Sequence, residues 1–181
     1  TVVTDDEQPH KAVIDKIPKL RPAFASEGTI TAANASSISD GASALLLMSA
    51  TQAAAKGLTP TARLAGHARH SQEPGEFTLA PIGAIRSLLQ KTGWSLEDVD
   101  LFEINEAFAM VTMLAITDLG LDHERVNVNG GACAQGHPIG SSGSRIMVTL
   151  MHALKQRGKR RGIAALCIGG GEATAVAIEL L

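Results

Sequence analysis

The chain has 181 residues, 45% of them hydrophobic, with 16 Lys and Arg against 18 Asp and Glu and a formal net charge of -2. That is the composition of an ordinary soluble globular protein long enough to bury a core, and it excludes a disordered chain. It lacks the basic excess that phosphate-backbone binding requires, so no nucleic-acid partner is expected; the one dense basic run, Lys155, Arg157, Lys159, Arg160 and Arg161, reads as a solvated helix end.

Taken in chain order, residues 1–37 carry Asp5, Asp6, Glu7, Pro9, Pro18, Pro22 and an Asn/Ser cluster, and read as an extended, loop-like arm. Ala44 to Met48 reads as a buried strand, and Thr51 to Lys56 as a short helix closed by Gly57. Ala62 to His70 is expected to be a strand despite its glycine. Ile82 to Lys91 has apolar residues at 82, 85, 88 and 89, a helical stripe ended by Gly93. Val99 to Ile104 alternates like a half-exposed strand, and Ala107 to Leu119 reads as a mostly buried helix stopped by Gly120. Val126 to Val128 begins another strand. Ser142 to Arg157 places Ile146, Leu150 and Leu154 on one helical face. Ile163 to Ile168, a glycine turn, and Ala173 to Leu181 read as two tightly joined strands, an antiparallel edge. Strands alternating with helices of this length make an α/β chain with a mixed sheet covered by helices.

Neither a membrane partner nor export is expected: no stretch approaches about 18 uncharged apolar residues, and the polar, acidic start from Thr1 to Gln8 is unlike a secretory signal. Cys133 and Cys167, with no Cys-x-x-Cys spacing, fit a reducing, cytoplasmic setting rather than a disulfide scaffold or a Cys-rich zinc site.

Sheets of this kind bind ligands beyond the carboxyl ends of their strands, which directs attention to the loops after Ile104, Val128 and Cys167. The first holds Asn105-Glu106-Ala107-Phe108-Ala109, where Asn105 either caps the following helix or aims its amide at a water or a developing oxyanion. The second runs from Asn129 to Gly143 and sets His137-Pro138 among glycines just before a helix. Such a histidine suits acid/base work, activation of a thiol or donation to an oxyanion, although glycine-rich loops also simply turn the chain. The third is Cys167-Ile168-Gly169-Gly170-Gly171: a lone cysteine is commonly packing, but one followed by open backbone amides suits proton exchange beside a reacting carbonyl. A polar loop from Thr31 to Ala42, with Asn34, Ser36 and Ser37, reads by itself as Asx- and Ser-type turns.

Together, "KLRPAF", "GTITAANAS", "DGASALL", "NEAFA", "NVNGGACAQGHPIGSSGSR" and "CIGGGEATAVAIEL" resemble the thiolases, in particular their acetyl-CoA acetyltransferase branch, in order and over nearly the whole chain. The resemblance implies a thiolase-type fold of two βαβαβαββ halves and a loop domain, of which this chain looks like the C-terminal part. Residues 1–37 would be the remnant of the loop domain, 38–59 the closing strand and helix of the N-terminal half, and 60–181 the C-terminal thiolase domain. It further implies Claisen condensation of two acetyl-CoA molecules, or the reverse CoA-dependent thiolysis of acetoacetyl-CoA or another 3-ketoacyl-CoA. Coenzyme A thioesters would be substrates, and no cofactor would be permanently bound.

On that resemblance His137 would activate an acyl-carrying cysteine of the missing upstream half and hold the thioester oxyanion. Asn105 would hold a water there, Cys167 would be the acid/base at the α carbon, and the amide of Gly169 would serve a second oxyanion hole. Ser36 would touch the pantetheine arm and Phe108 the acyl pocket. Partners would be the upstream half and further copies, as a homodimer or homotetramer. The sequence departs from the family's usual pattern at Ser37 and Ala173, where glycine is frequent, and at Cys133, where an aliphatic residue is usual and which reads as packing. A ketoacyl synthase on the same fold is disfavoured by the Cys-x-Gly-Gly-Gly ending, and a non-catalytic CoA-binding or dimerising fragment remains the alternative. A metal site from Cys133, His137 and Cys167 is disfavoured because the glycines and Pro138 preclude a helical ligand face.

Overall fold

The computed structural model describes residues 2–181, the side chain of Lys11 excepted. The elements run α1 (Glu7–Lys11), α2 (Ala50–Ala55), β1 (Ala62–Ser71), α3 (Ala80–Thr92), β2 (Leu101–Ile104), α4 (Ala109–Leu119), α5 (Ala132–Gln135), α6 (Ser142–Gln156), β3 (Arg161–Ile168) and β4 (Glu172–Leu180). Helices α3 and α4 stop where the sequence reading ends them, on the left-handed residues Gly93 and Gly120. No described helix is long and apolar enough to cross a membrane.

The four strands form one mixed sheet in the order β1-β4-β3-β2. Strands β2 and β3 are parallel, setting Ile104 beside Ala165, while β4 runs antiparallel to both β3 and β1. The antiparallel strand after the glycine turn is therefore interior, not the expected edge; β1 takes the edge position beside it.

Side-chain alternation sorts the sheet into two faces. Phe102, Ile104, Ile163, Ala165, Ala173, Ala175 and Ala177 pack with Ile82, Ile85 and Leu88 of α3 and Val111 and Ala115 of α4. Leu101, Ala164 and Ile178 face the other way, against Ile146, Leu150 and Leu154 of α6. With helices on both faces, every residue of β2 is buried, so its alternating sequence does not mark a half-exposed strand. The alternating charge, Glu103, points inward toward α6 and is 2% exposed.

Two expected strands do not form. Residues 44–48 form no regular structure and pair with no strand, and Leu46 is 80% exposed. A strand exists only through its neighbour, and among the described residues none lies beside this segment. Residues 126–128 make a single bridge, Val126 to Phe102, because Asn127 turns the chain at φ 48°. The Asn127 side chain then does what a strand backbone would: its Oδ1 accepts from Ile104 N at 2.8 Å and its Nδ2 donates to Ile104 O at 2.8 Å. Asn127→Ala leaves Ile104 N without this partner and Ile104 O with only the Thr112 hydroxyl at 3.2 Å, and places a Cβ-only residue at a positive φ. A loss of about 1–3 kcal/mol in urea unfolding is expected, with no change in secondary structure.

Helix α4 begins two residues later than expected and buries one side only, Met113 on the other side being 64% exposed. The arm is mostly exposed and largely loop, with α1 and a 3-10 turn at Ile14–Lys19 as its regular structure. The basic run is more than a solvated helix end. Arg161 opens β3, meets Glu179 Oε1 at 3.2 Å and lies 4.9 Å over the Trp94 ring.

Candidate active site

Because β2 and β3 are parallel, their carboxyl ends lie at the same rim of the sheet, and the ladder continues one step beyond β2: Asn105 N donates to Ala165 O at 2.9 Å. Asn105 is 2% exposed. It does not cap α4, whose N-cap is Phe108 with no side-chain cap. Its amide instead meets the ring of His137, with Nδ2 3.5 Å from Nε2. Asn105 and His137, remote in sequence, are thus brought together.

The tautomer of His137 follows from its other side. Ser142 Oγ donates to Pro138 O at 3.0 Å, which spends its only proton. With that proton directed at Pro138 O, His137 Nδ1, 2.6 Å from the Oγ, is assigned as the donor, which leaves Nε2 with a lone pair toward Asn105 and the open rim. Burial, then the nearby Arg145 cation, hold the imidazole below its usual 6.5. The neutral, proton-accepting form therefore dominates at neutral pH. A histidine NMR titration is expected to show a His137 midpoint below 6.5. Its linked contribution to stability is complete above 6.5 and is lost as the pH falls through that value toward the folded midpoint, since the unfolded chain binds the proton more readily.

The loop that carries His137 is held by contact with neighbouring backbone. His137 N donates to Ser37 O at 2.9 Å, and Ile38 forms a parallel bridge to His137. A Cβ at Gly136, φ 89°, would run into Ser39, and one at Gly131 into the Glu106 carboxylate, so these glycines permit the close approach. The same arm ties down the Asn105 loop: Ser36 Oγ and N both donate to Ala107 O, at 3.0 and 3.2 Å, and Ala109 N donates to Asn34 O at 2.9 Å. Phe108 stands edge-on to Phe24 at 5.7 Å and to Phe77 at 6.3 Å, an aromatic group at the mouth of the rim.

Cys167 lies near the end of β3, on the α3–α4 side of the sheet, and no hydrogen bond joins it to His137 or Asn105. Burial pushes its thiol up from the ordinary value. Gly169 is exposed just beyond it, with open space where a side chain would stand.

A family profile described as the C-terminal domain of thiolase matches residues 58–180, and one described as the N-terminal domain matches residues 1–51. A probable acetyl-CoA acetyltransferase of Dictyostelium discoideum is 52% identical over all of this chain, which covers 44% of that protein. The crystal structure of the Bacillus anthracis acetyl-CoA acetyltransferase superposes with a TM-score of 0.91 at 48% identity, over 94% of this chain and 43% of that one. A thiolase from Ascaris suum in complex with coenzyme A superposes at 0.88 with 43% identity, over 99% of this chain and 47% of that one. The chain belongs to the thiolase family. It spans less than half the length of the relatives it matches.

Within this thiolase chain, Cys133 is no poised nucleophile. Its N–H donates to Glu106 Oε2 at 3.0 Å, and burial together with the Glu106 carboxylate pushes the thiol up to about 11. The sequence reading missed Ser142, Glu103 and Arg145. Ser142 and Arg145 sit one turn apart at the start of α6, which sets Ser142 against His137 and Arg145 against Asn105. Arg145 Nη1 lies 3.6 Å from Glu103 Oε2, and its Nη2 donates to Asn105 Oδ1 at 3.5 Å.

Proposed function

We propose that this chain supplies the His137, Asn105 and Cys167 groups of a thiolase acyl-transfer site, with the acyl-carrying cysteine contributed by an upstream half. The observation that carries the reading is the His137 ring: a histidine whose Nδ1 proton is spent on Ser142 and whose free Nε2 faces a buried amide is arranged to accept a proton from an incoming thiol. Both thiols of the chain itself are pushed up by burial, so neither is an activated nucleophile.

In the thiolysis direction, His137 Nε2 takes the proton of the upstream cysteine, whose sulfur bonds to the keto carbon of acetoacetyl-CoA. Nε2 and a water on the Asn105 amide face the thioester oxygen, where charge builds as the two carbons part. The bond between the α and β carbons breaks, and the electron pair left on the α carbon takes the Cys167 proton, releasing acetyl-CoA. A free CoA thiol then gives its proton to the Cys167 thiolate and attacks the acyl-cysteine, forming a second acetyl-CoA, while the departing enzyme sulfur takes back the proton held on His137 Nε2. The raised thiol of Cys167 favours the protonated form needed as donor, and the open backbone at Gly169 leaves its amide accessible to the keto oxygen that becomes the oxyanion when the cysteine adds. The Ser36 segment borders the rim for the pantetheine arm, and Phe108 with Phe24 and Phe77 offers an apolar wall for the acyl group.

Under the same reading residues 1–37 belong to the loop domain, 38–59 close the N-terminal half, and 60–181 form the C-terminal domain. The exposed apolar run at Leu46 and Leu47 is the strand that pairs with that half. The assembled protein is a cytoplasmic homodimer or homotetramer whose thiols stay reduced.

The test is CoA-dependent loss of acetoacetyl-CoA by the 181-residue chain alone and after mixing with a separately produced upstream half of a related thiolase. Silence alone and activity on mixing are expected. Activity from the chain alone overturns the division of labour. CoA binding without turnover in a demonstrably assembled mixture favours the non-catalytic, CoA-binding or dimerising fragment.

A further inference from the structure

A buried ion pair that is not fully satisfied lies behind the site. Glu103 is 2% exposed and Arg145 17%, yet their closest approach is 3.6 Å, and Glu103 Oε1 and Arg145 Nε have no hydrogen-bond partner. Burying a carboxylate and a guanidinium costs desolvation that such loose geometry does not recover, and apolar residues of like size would pack here at less cost. What the pair does have is a direction. Arg145 is held toward β2 by Glu103 and along its own helix by Thr149, whose Oγ1 lies 3.5 Å from Nη1, and the remaining arm of its fork reaches Asn105 Oδ1.

We infer that Arg145, anchored by Glu103, is a positioning residue that fixes which way the Asn105 amide points. An Asn side chain can turn over, exchanging its oxygen and nitrogen. Arginine is donor-only, so Arg145 can donate only to the oxygen end; His137 Nε2, left with a lone pair by the Ser142 bond, can accept only from the NH2 end. The reversed amide would set donor against donor on one side and lone pair against lone pair on the other. The strand and helix periods produce this meeting: Glu103 and Asn105 are two apart on one face of the β2 rim, and Ser142 and Arg145 are three apart on the facing turn of α6. The charged groups around the ring are Arg145 from α6 and, behind it, Glu103 from β2, whose carboxyl burial pushes up to about 7 against the pull of Arg145, with the Glu106 carboxylate adding to the rise.

The inference rests on the acyl-transfer reading for its catalytic meaning, but the amide orientation is measurable without turnover. Solution NMR of the 181-residue chain reads three quantities: the Asn105 side-chain NH2 signals, the His137 tautomer from its ring nitrogen shifts, and the His137 titration midpoint. R145K keeps the cation beside Glu103 but not the planar fork, so it retains the fold even where R145M does not. In R145K the Asn105 NH2 signals shift or broaden while the His137 midpoint stays near the wild-type value. In R145M, or in E103Q/R145M if the lone carboxylate of R145M prevents folding, the Asn105 signals change and the midpoint also rises toward 6.5 because the cation is gone. A folded R145K with unaltered Asn105 NH2 signals overturns the inference, as does a loss of unfolding stability with all three NMR quantities unmoved, which marks Arg145 as structural only. Absence of acyl transfer in the assembled mixture alongside the expected NMR changes counts against the proposed function and leaves the positioning role standing.

Discussion

Replacing His137 with alanine is expected to lower CoA-dependent cleavage of acetoacetyl-CoA by the assembled enzyme about 100- to 10,000-fold, the range lost when a positioned acid/base is removed. The fold should survive, because the ring is only half-buried and Ser142 keeps its bond to Pro138 O without it. Cys167→Ala should cost as much for a different reason: the cleaved α carbon then has no donor, so acylation stalls after the carbon–carbon bond weakens. Both variants are therefore expected to lose the acylation burst, one because the upstream cysteine is not activated and the other because the carbon–carbon bond does not finish breaking. Unfolding midpoints close to wild type for both would tie the losses to chemistry, and turnover within a few-fold of wild type in either would remove that residue from its role.

Phe102→Ala should have the largest effect on stability, about 3–5 kcal/mol for an aromatic deleted from a core. Phe102 is 1% exposed and belongs to the cluster that joins β2 to α3 and α4, and the Arg125 guanidinium lies 5.9 Å from its ring. Collapse around the gap is limited because Ile104, Ile163 and Val126 come from three different segments, each held by its own hydrogen bonds. A urea-unfolding difference under about 1 kcal/mol would mean that this face is far more plastic than close packing allows.

The parts of the fold legible in the sequence are those where local rules act alone. The 82-85-88-89 stripe with Gly93, the α6 stripe at Ile146, Leu150 and Leu154, and the glycine turn between β3 and β4 all follow from period and punctuation. The misreadings share a cause, which is that strands are defined by neighbours. Residues 44–48 have strand composition and no partner, β2 alternates in sequence but is covered on both faces, and at 126–128 one left-handed asparagine substitutes its side chain for a ladder.

At the site, Asn105 and His137 stood out because short polar motifs at loop positions have few structural uses. Arg145 did not, because on α6 it looks like any charge on the polar side of an amphipathic helix, and Glu103 looked like the solvent side of an alternating strand. Their signal was present but conditional: once β2 is known to be covered on both faces, a charge in its middle must face another element, and Arg145 lies on the helix that covers it.

The pairing of Ile104 with Ala165 makes the active rim a matter of counting. Side chains change face at every residue of β3, so one residue inserted or deleted between Arg161 and Cys167 would swing the thiol from the α3–α4 side to the α6 side and carry Ile163 and Ala165 out of their core with it. The exposed turn at Gly158 can absorb a change in chain length; the eight residues of β3 cannot.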